Sequence, residues 1–285
     1  MTASAMARKD WARSLGLDTD GSLFVDIDNG IRLYDQCLSA PLPAAVPIRP
    51  EDLMKAENRQ LYYRFLTTLK EIDGVLFHPS YDEGYRFKKG DVVVDAGARI
   101  GTFASKISAA VGDEGRIIAI EPEPRNYAFL RKNIEANRWN NVKAIQKMLW
   151  SGPGQIPLYL SGNSASHSAY YDPFYGSTGK TIRVEAETLD RILQQLGIDS
   201  VDFIKMDIEG SEIQALKGME RALQSDVEMA VAAYHPVEGK PTHSVIIREL
   251  EGLGFRTACA EGIVRARRYR PGPIGAFSRL AGSSV

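Results

Sequence analysis

The sequence predicts an α/β fold: a mostly parallel sheet with helices on both faces, closed at one edge by an antiparallel hairpin. Three observations carry this. DVVVDA (91–96), RIIAI (116–120) and VDFIKM (201–206) are short apolar runs bounded by turn residues, the pattern of strands buried on both faces. Helical patterns separate these runs, and strands alternating with helices pair in parallel. The stretch GFRTACAEGIVRARRY (254–269) reads instead as two strands turning near Glu261-Gly262.

The elements follow in order. SLFVDIDNGIRLYD (22–35) reads as a hairpin turning at Asn29-Gly30. PLPAAVPIRP (41–50) holds four prolines and reads as an extended linker. Residues 51–72 read as a helix, with Leu61, Phe65 and Leu69 four apart on one stripe. These belong to an annex over 1–85. The main domain is placed at 86–270, with strands at 91–96, 116–120, 142–145, 201–206 and 228–233. Helices are expected at 102–111, 125–137, 188–196, 212–223 and 244–253. Segments 156–160 and 181–184 flank an irregular insert, and 271–285 reads as a loose tail.

Composition narrows the function. Hydrophobic residues are 44% and charged residues 25% of 285, which excludes a disordered or collagenous chain. The net charge of −1 offers no global attraction to nucleic acid or an anionic membrane. No apolar run approaches the roughly 20 residues of a membrane span. MTASAMARKDWARSLG (1–16) has basic residues but no apolar signal core. Cys37 and Cys259 are the two cysteines, which argues against a disulfide framework and suits a reducing cytoplasm.

The chemistry concentrates at strand ends. VVVDAGARIGTFA (92–104) sets Asp95 at a strand end, then Gly97 and Gly101 before a helix. A dinucleotide fingerprint would need glycine at 99 and 102, where Arg99 and Thr102 stand. The pattern suits a ligand whose cationic end meets an acid while glycine backbone passes close by. Glu121 ends the second strand, where an acid typically accepts from a ribose diol. After VDFIKM come Asp207 and Glu209, at the carboxyl end of a central strand where ligands of open α/β sheets bind. Lys205 is expected to pair with one of them. Ser211 and Gln214 fit a capping box, and Glu212 suits the positive end of a helix.

DVVVDAGARIGTFA, IIAIEPEPRNYAFLRKNIEANRWNNV and VDFIKMDIEGSEIQALKG, in that order, resemble the FkbM-type methyltransferases over roughly 85–260. The resemblance implies a Rossmann-like class I methyltransferase fold with a seven-stranded sheet and S-adenosylmethionine (SAM) as cofactor. It implies O-methylation of a small molecule, a sugar or secondary metabolite, and leaves the acceptor open. Asp95, Gly97 and Gly101 match the SAM loop, Glu121 the ribose-binding acid, and Asp207, Glu209 and Glu212 the fourth-strand motif. Asn126 matches without a derivable role. His235, after the fifth strand, stands where the family often has histidine. Arg99 departs from the family's usual Asn, and a cation there must turn away or pair with an acid. Trp150 either stacks on adenine or fills core.

Methyl transfer to an alcohol calls for alignment and a base. His235, with an ordinary pKa of about 6.5, is the expected base, and Asp207 orients it or holds the methionine end of SAM. No ligand-spacing motif favours a metal; were a divalent ion held, Asp207, Glu209 and His235 would be its ligands. His78, His167 and His243 have no neighbouring constellation. The insert 161–180 carries Tyr170, Tyr171 and Tyr175, which line an acceptor lid or pack among themselves. The basic cluster Arg265, Arg267, Arg268 and Arg270 reads as a solvated sheet edge. Competing readings are an RNA or protein methyltransferase and a non-catalytic SAM-binding module. Self-association through the annex stays open.

Overall fold

Strong alternation in SLFVDI turns Leu23, Val25 and Ile27 inward, all buried. They lie on β2 (Ser22–Ile27), which pairs antiparallel with β1 (Ala12–Leu17) and β3 (Arg32–Cys37). The hairpin at Asn29-Gly30 forms as expected, with Gly30 at φ +83°. The proline-rich segment is not only a linker, because its Val46–Pro47 pair is β4 and completes the sheet order β3-β2-β1-β4. The computed structural model describes residues 12–37, 41–48, 59–76, 81–162, 166–170, 177–237 and 240–268. The helix expected over 51–72 is α1 (Arg59–Leu76) within these, and 51–58 and the tail lie outside them.

Five strand–helix steps follow. β5 (Val92–Ala96) leads to α2 (Thr102–Val111), and β6 (Arg116–Ile120) to α3 (Pro124–Ala136). Then come β7 (Val142–Ile145), β8 (Met148–Leu149), β9 (Gly154–Ser161), β10 (Ser177–Glu187) and α4 (Leu189–Gln195). β11 (Phe203–Met206) leads to α5 (Glu212–Leu216) and a 3₁₀ turn at Ala222–Gln224. β12 (Glu228–Ala232), the short pair β13 (Pro236–Val237) and β14 (Lys240–Pro241), and α6 (His243–Gly252) precede the closing β15 (Phe255–Ala260) and β16 (Ile263–Arg268).

The main sheet has the order β15-β16-β12-β11-β5-β6-β7 and is parallel except at β16, which runs antiparallel to both neighbours. This is the seven-stranded sheet with an antiparallel closing hairpin that the family resemblance implies. Burial on both faces explains the unbroken apolar strands: Val93 and Ile117 join one core cluster, Val94 and Ile118 the other. The chain steps outward from β5 to β7, then crosses back to place β11 on the other side of β5. Ligands of such sheets bind outside the carboxyl ends of the strands at that reversal.

The annex is built into this core. Leu15, Leu23, Val25, Leu69 and Ile72 share one apolar cluster with Val93, Phe103 and Leu130. The outer edge of β3 is closed by side-chain amides rather than another strand. Asn133 Nδ2 donates to Tyr34 O at 2.9 Å while its Oδ1 accepts from Tyr34 N at 2.7 Å, and the Nδ2 and Oδ1 of Asn137, one turn on, do the same for Arg32 at 2.7 and 2.8 Å. Side-chain amides thus satisfy backbone groups that an edge strand would otherwise leave unpaired.

Two local expectations fail. The helix expected over 212–223 is only α5 and the 3₁₀ turn, because Arg221 N and Ala222 N donate to Asp190 and turn the chain toward α4. The capping box at Ser211 does not form: Ser211 makes no side-chain cap, and Glu212 turns into the interior. The insert is partly ordered, since β9 and β10 pair antiparallel out to Ser161 and Ser177 and form a three-stranded sheet with β8. Tyr171 and Tyr175 lie outside the described residues.

Candidate functional site

At the carboxyl ends of β5, β6 and β11 the chain encloses a cavity of about 370 Å³, within the range of small-molecule sites. The turn after β5 forms its floor. Gly97 stands at φ +75°, and a Cβ there would lie 1.8 Å from the Asp207 carbonyl oxygen, so only glycine lets the two strand ends meet. Beneath it Asp95 is fully buried and pairs with Lys205 Nζ at 3.1 Å. Lys205 Nζ also donates to Gly97 O at 2.8 Å and Ala96 O at 3.2 Å. Burial raises the Asp95 carboxyl, and the Lys205 charge opposes this. Lys205 therefore pairs with Asp95, not with Asp207 or Glu209 as expected.

Glu121 lines the cavity from the end of β6. It accepts from Arg99 N at 2.9 Å, Glu123 N at 3.0 Å and Asn126 Nδ2 at 3.4 Å. Burial pushes its carboxyl up to about 7 against these donors. Asn126 thereby gains a role: its amide steadies Glu121, while its N–H is capped by Glu123 at 2.7 Å. Arg99 also resolves. Its guanidinium pairs with Asp35 of β3 at 2.9 Å and with Glu71 of α1.

The opposite wall carries Asp207, Glu209, Tyr81, Tyr234 and His167. Tyr81 Oη donates to Asp207 Oδ2 at 2.7 Å. Just behind, buried His235 faces three carboxylates: Nδ1 meets Glu212 Oε1 at 3.0 Å, and Nε2 meets Glu209 Oε2 at 3.4 Å and Asp207 Oδ1 at 3.5 Å. Glu212 is itself fixed by the N–H groups of Ile208 and Gly210 at 3.3 and 3.2 Å. Burial would lower the His235 pKa, but the hydrogen bonds to Glu209 and Glu212 and the charge of Asp207 outweigh it and hold the ring at about 11. The three carboxylates thus favour the charged form of the ring, in which it does not take a proton. Burial also raises Glu209, opposed by His235.

His167, set aside on sequence, lines the cavity. Its Nδ1 accepts from Ser161 N at 3.0 Å, and burial, then the Arg99 charge, lowers it to about 4. The neutral ring carries its proton on Nε2 and offers the cavity a donor. Other expected site residues stand apart. Asp95 and Gly101 do not line the cavity; Gly101, at φ +88°, starts α2 against Leu130. Trp150 also stands outside the lining and lies against Tyr170, ring centroids 6.3 Å apart, in the small cluster around Leu158. Tyr170 packs against Gly210 rather than on the cavity wall. Tyr81 and Glu71 come from the annex side, and no local pattern marks them.

The donor set fits SAM. A buried acid able to accept from a diol stands beside a glycine turn, at the mouth of a mainly apolar cavity that Ile120, Met148 and Leu149 also line.

The profile described as "Methyltransferase FkbM domain" matches residues 95–257. Methyltransferase sdnD of Sordaria araneosa is 30% identical over 156 residues, covering 45% of this chain and 60% of that protein. The 31-O-demethyl-FK506 methyltransferase FkbM of Streptomyces tacrolimicus is 28% identical over 205 residues, covering 62% and 77%. The hexuronic acid methyltransferase AglP of Haloferax volcanii is 27% identical over 157 residues, covering 52% and 57%. The chain thus spans under two thirds of the first and third of these relatives. Among solved structures, fibrillarin of Aeropyrum pernix with natively bound S-adenosyl-L-methionine is 15% identical at a TM-score of 0.41, covering 90% of this chain and 99% of that one. No helix among the described residues is long and apolar enough to cross a membrane.

Proposed function

Because the chain belongs to the FkbM methyltransferase family, whose domain is a SAM-dependent methyltransferase, we propose that it transfers a methyl group to a hydroxyl of a small molecule such as a sugar or secondary metabolite. The observation that carries this is one cavity lined by the buried Glu121 carboxylate at the end of β6 and by the acids Asp207 and Glu209 after β11. The names of two relatives, a hexuronic acid methyltransferase and a 31-O-demethyl-FK506 methyltransferase, support a hydroxyl-bearing acceptor. The reading divides the chain into an annex (1–85), a transferase domain (86–270) and a tail (271–285). Cysteine usage supports a cytoplasmic setting.

SAM supplies a methyl group on a sulfonium, which leaves as a neutral thioether when an acceptor oxygen takes the methyl. In this reading Glu121 holds the ribose diol and the Gly97 turn takes the methionine end. Asp95, buried behind the cavity lining, acts in this reading through Lys205, which holds the Gly97 carbonyl in place. Asp207 and Glu209 line the cavity and are the carboxylates placed to receive the hydroxyl proton, with Tyr81 fixing the Asp207 rotamer. His167 Nε2–H and Tyr234 orient the acceptor. Alignment of this kind contributes about 7–11 kcal/mol, and a base roughly 10²–10⁴-fold. An RNA acceptor has little support here: Arg265 pairs with Glu83 at 2.7 Å, and Arg268 Nε donates to Leu223 O at 3.0 Å.

The test is calorimetric titration with SAM, S-adenosylhomocysteine and NAD, then labelled-methyl transfer to a panel of uronic acids, hexoses and polyketide alcohols. Binding of the first two but not NAD, with label on an oxygen, is expected. Binding of NAD alone, or label on nitrogen or RNA, would overturn the reading.

A further inference from the structure

Asp207 and Glu209 at the end of β11, and His235 just beyond β12, each present one ligand atom, all within 4.8 Å of one another. We infer that these three side chains form a divalent transition-metal site whose open position faces the acceptor side of the cavity. The inference deepens the transferase reading and rests on it for the identity of the fourth ligand.

The spacing is the first argument. His235 Nε2 stands 3.4 Å from Glu209 Oε2 and 3.5 Å from Asp207 Oδ1. A charge-assisted N–H···O bond closes to about 2.7–2.9 Å. Ligands around one tetrahedral cation at about 2.0–2.1 Å stand about 3.4 Å apart. His235 Nε2 thus stands from both carboxylate oxygens at the separation of ligands sharing an ion, longer than the usual span of a charge-assisted bond.

The supporting side chains are the second argument. A histidine ligand characteristically donates its other ring N–H to a carboxylate, which fixes tautomer and ring orientation. His235 Nδ1 lies 3.0 Å from Glu212 Oε1, and Glu212 is fully buried and anchored by two backbone N–H groups. That arrangement leaves Nε2 as the lone-pair face toward Asp207 and Glu209. Asp207 is steadied in turn: Tyr81 bonds Oδ2, while Oδ1, the atom facing Nε2, is buried with no hydrogen-bond partner. On Asp207 and His235 the atoms that would not ligate, Oδ2 and Nδ1, are already engaged.

One imidazole with two carboxylates suits Zn²⁺, Fe²⁺ or Mn²⁺ better than the all-oxygen shell of Mg²⁺ or Ca²⁺. Three protein ligands leave a fourth position, as in catalytic zinc sites. Asp207 and Glu209 both line the cavity, so that position opens on the acceptor. A hydroxyl there is polarised by the ion; Asp207 and Glu209 then serve as ligands in place of the proton acceptors named above, and the proton passes to solvent water as the oxygen becomes the nucleophile.

The test uses the full chain, stripped with chelator, titrated with Co²⁺ and followed by visible absorption, with Zn²⁺ and Mg²⁺ as competitors. One equivalent of Co²⁺ with the intense band of a four-coordinate ion, displaced by Zn²⁺ and not by Mg²⁺, is expected. Glu209→Gln and His235→Gln, checked for folding by circular dichroism, should abolish the band. Glu212→Gln should weaken affinity 10–100-fold while the band survives at saturation. No Co²⁺ or Zn²⁺ binding to the folded chain, binding of Mg²⁺ alone, or a band unchanged in Glu209→Gln and His235→Gln would each overturn the site. SAM titration of the stripped protein separates the two readings. SAM binding without a metal site overturns only this inference; a metal site without SAM binding supports this inference and overturns the transferase reading.

Discussion

Lys205→Met should be among the most damaging single substitutions in the fold. Lys205 and Asp95 are 6% and 0% exposed at the side chain and 3.1 Å apart on neighbouring central strands. Removing one member of such a pair strands the other as an uncompensated buried charge, at about 3–5 kcal/mol. With about 2.1 cal/mol/K of unfolding entropy per residue over 285 residues, the melting midpoint should fall about 5–8 °C. The assay is urea and thermal unfolding across a cycle of Lys205→Met, Asp95→Val and the double variant. The double variant should recover most of the loss, since apolar replacements of a buried pair are often neutral. It should retain a deficit of roughly 1 kcal/mol for each hydrogen bond lost at Ala96 O and Gly97 O. SAM affinity should not recover with stability, because the Gly97 carbonyl has lost its anchor. A loss under about 1 kcal/mol for Lys205→Met, or strictly additive losses in the double variant, would refute the reasoning.

Three further outcomes are expected. Gly97→Ala should cost about 1–3 kcal/mol from the positive φ alone, more once the Asp207 carbonyl is displaced, and should abolish the SAM-induced thermal shift. Glu121 is raised by burial to about 7; between its ordinary 4.5 and 7 the folded state binds the extra proton, so stability falls as pH rises, by about 3 kcal/mol over that window. Glu121→Gln should remove that slope in pH-dependent unfolding, and in the parent SAM affinity should rise with pH toward 7, because a diol donates to the ionised carboxylate. His167→Ala should raise the acceptor KM roughly tenfold, the worth of one hydrogen bond of about 1–1.5 kcal/mol, while leaving the SAM dissociation constant unchanged by calorimetry.

The main sheet was legible because its strands are apolar on both faces and its helices keep their period. β6 and β7 and helix α2 fall where the pattern put them, and the closing hairpin turns at Glu261-Gly262. β1 and β4 were not legible, since ARSLGL and a proline-rich pair become strands only by pairing with neighbours. In the site, Glu121, Asp207 and Glu209 were visible as acids at strand ends. The state of His235 was not, because it depends on Glu212, which local sequence assigns to a helix start. Tyr81, Glu71 and His167 reach the cavity from distant segments by tertiary packing, with no periodic signal of their own.

Arg99 has a consequence beyond neutralising its own charge. Its backbone N–H holds Glu121, while its side chain holds Asp35 of β3 and Glu71 of α1. One residue therefore reports the position of the N-terminal sheet and helix to the acid assigned to the cofactor. Glu71, Gly74 and Val75 also form part of the cavity wall. If Glu121 holds the cofactor as proposed, a contact that settles α1 and also tightens that grip is matched, by thermodynamic reciprocity, by a cofactor that settles α1 to the same extent. Cofactor and acceptor would then bind cooperatively without touching, through a segment that belongs to neither strand end.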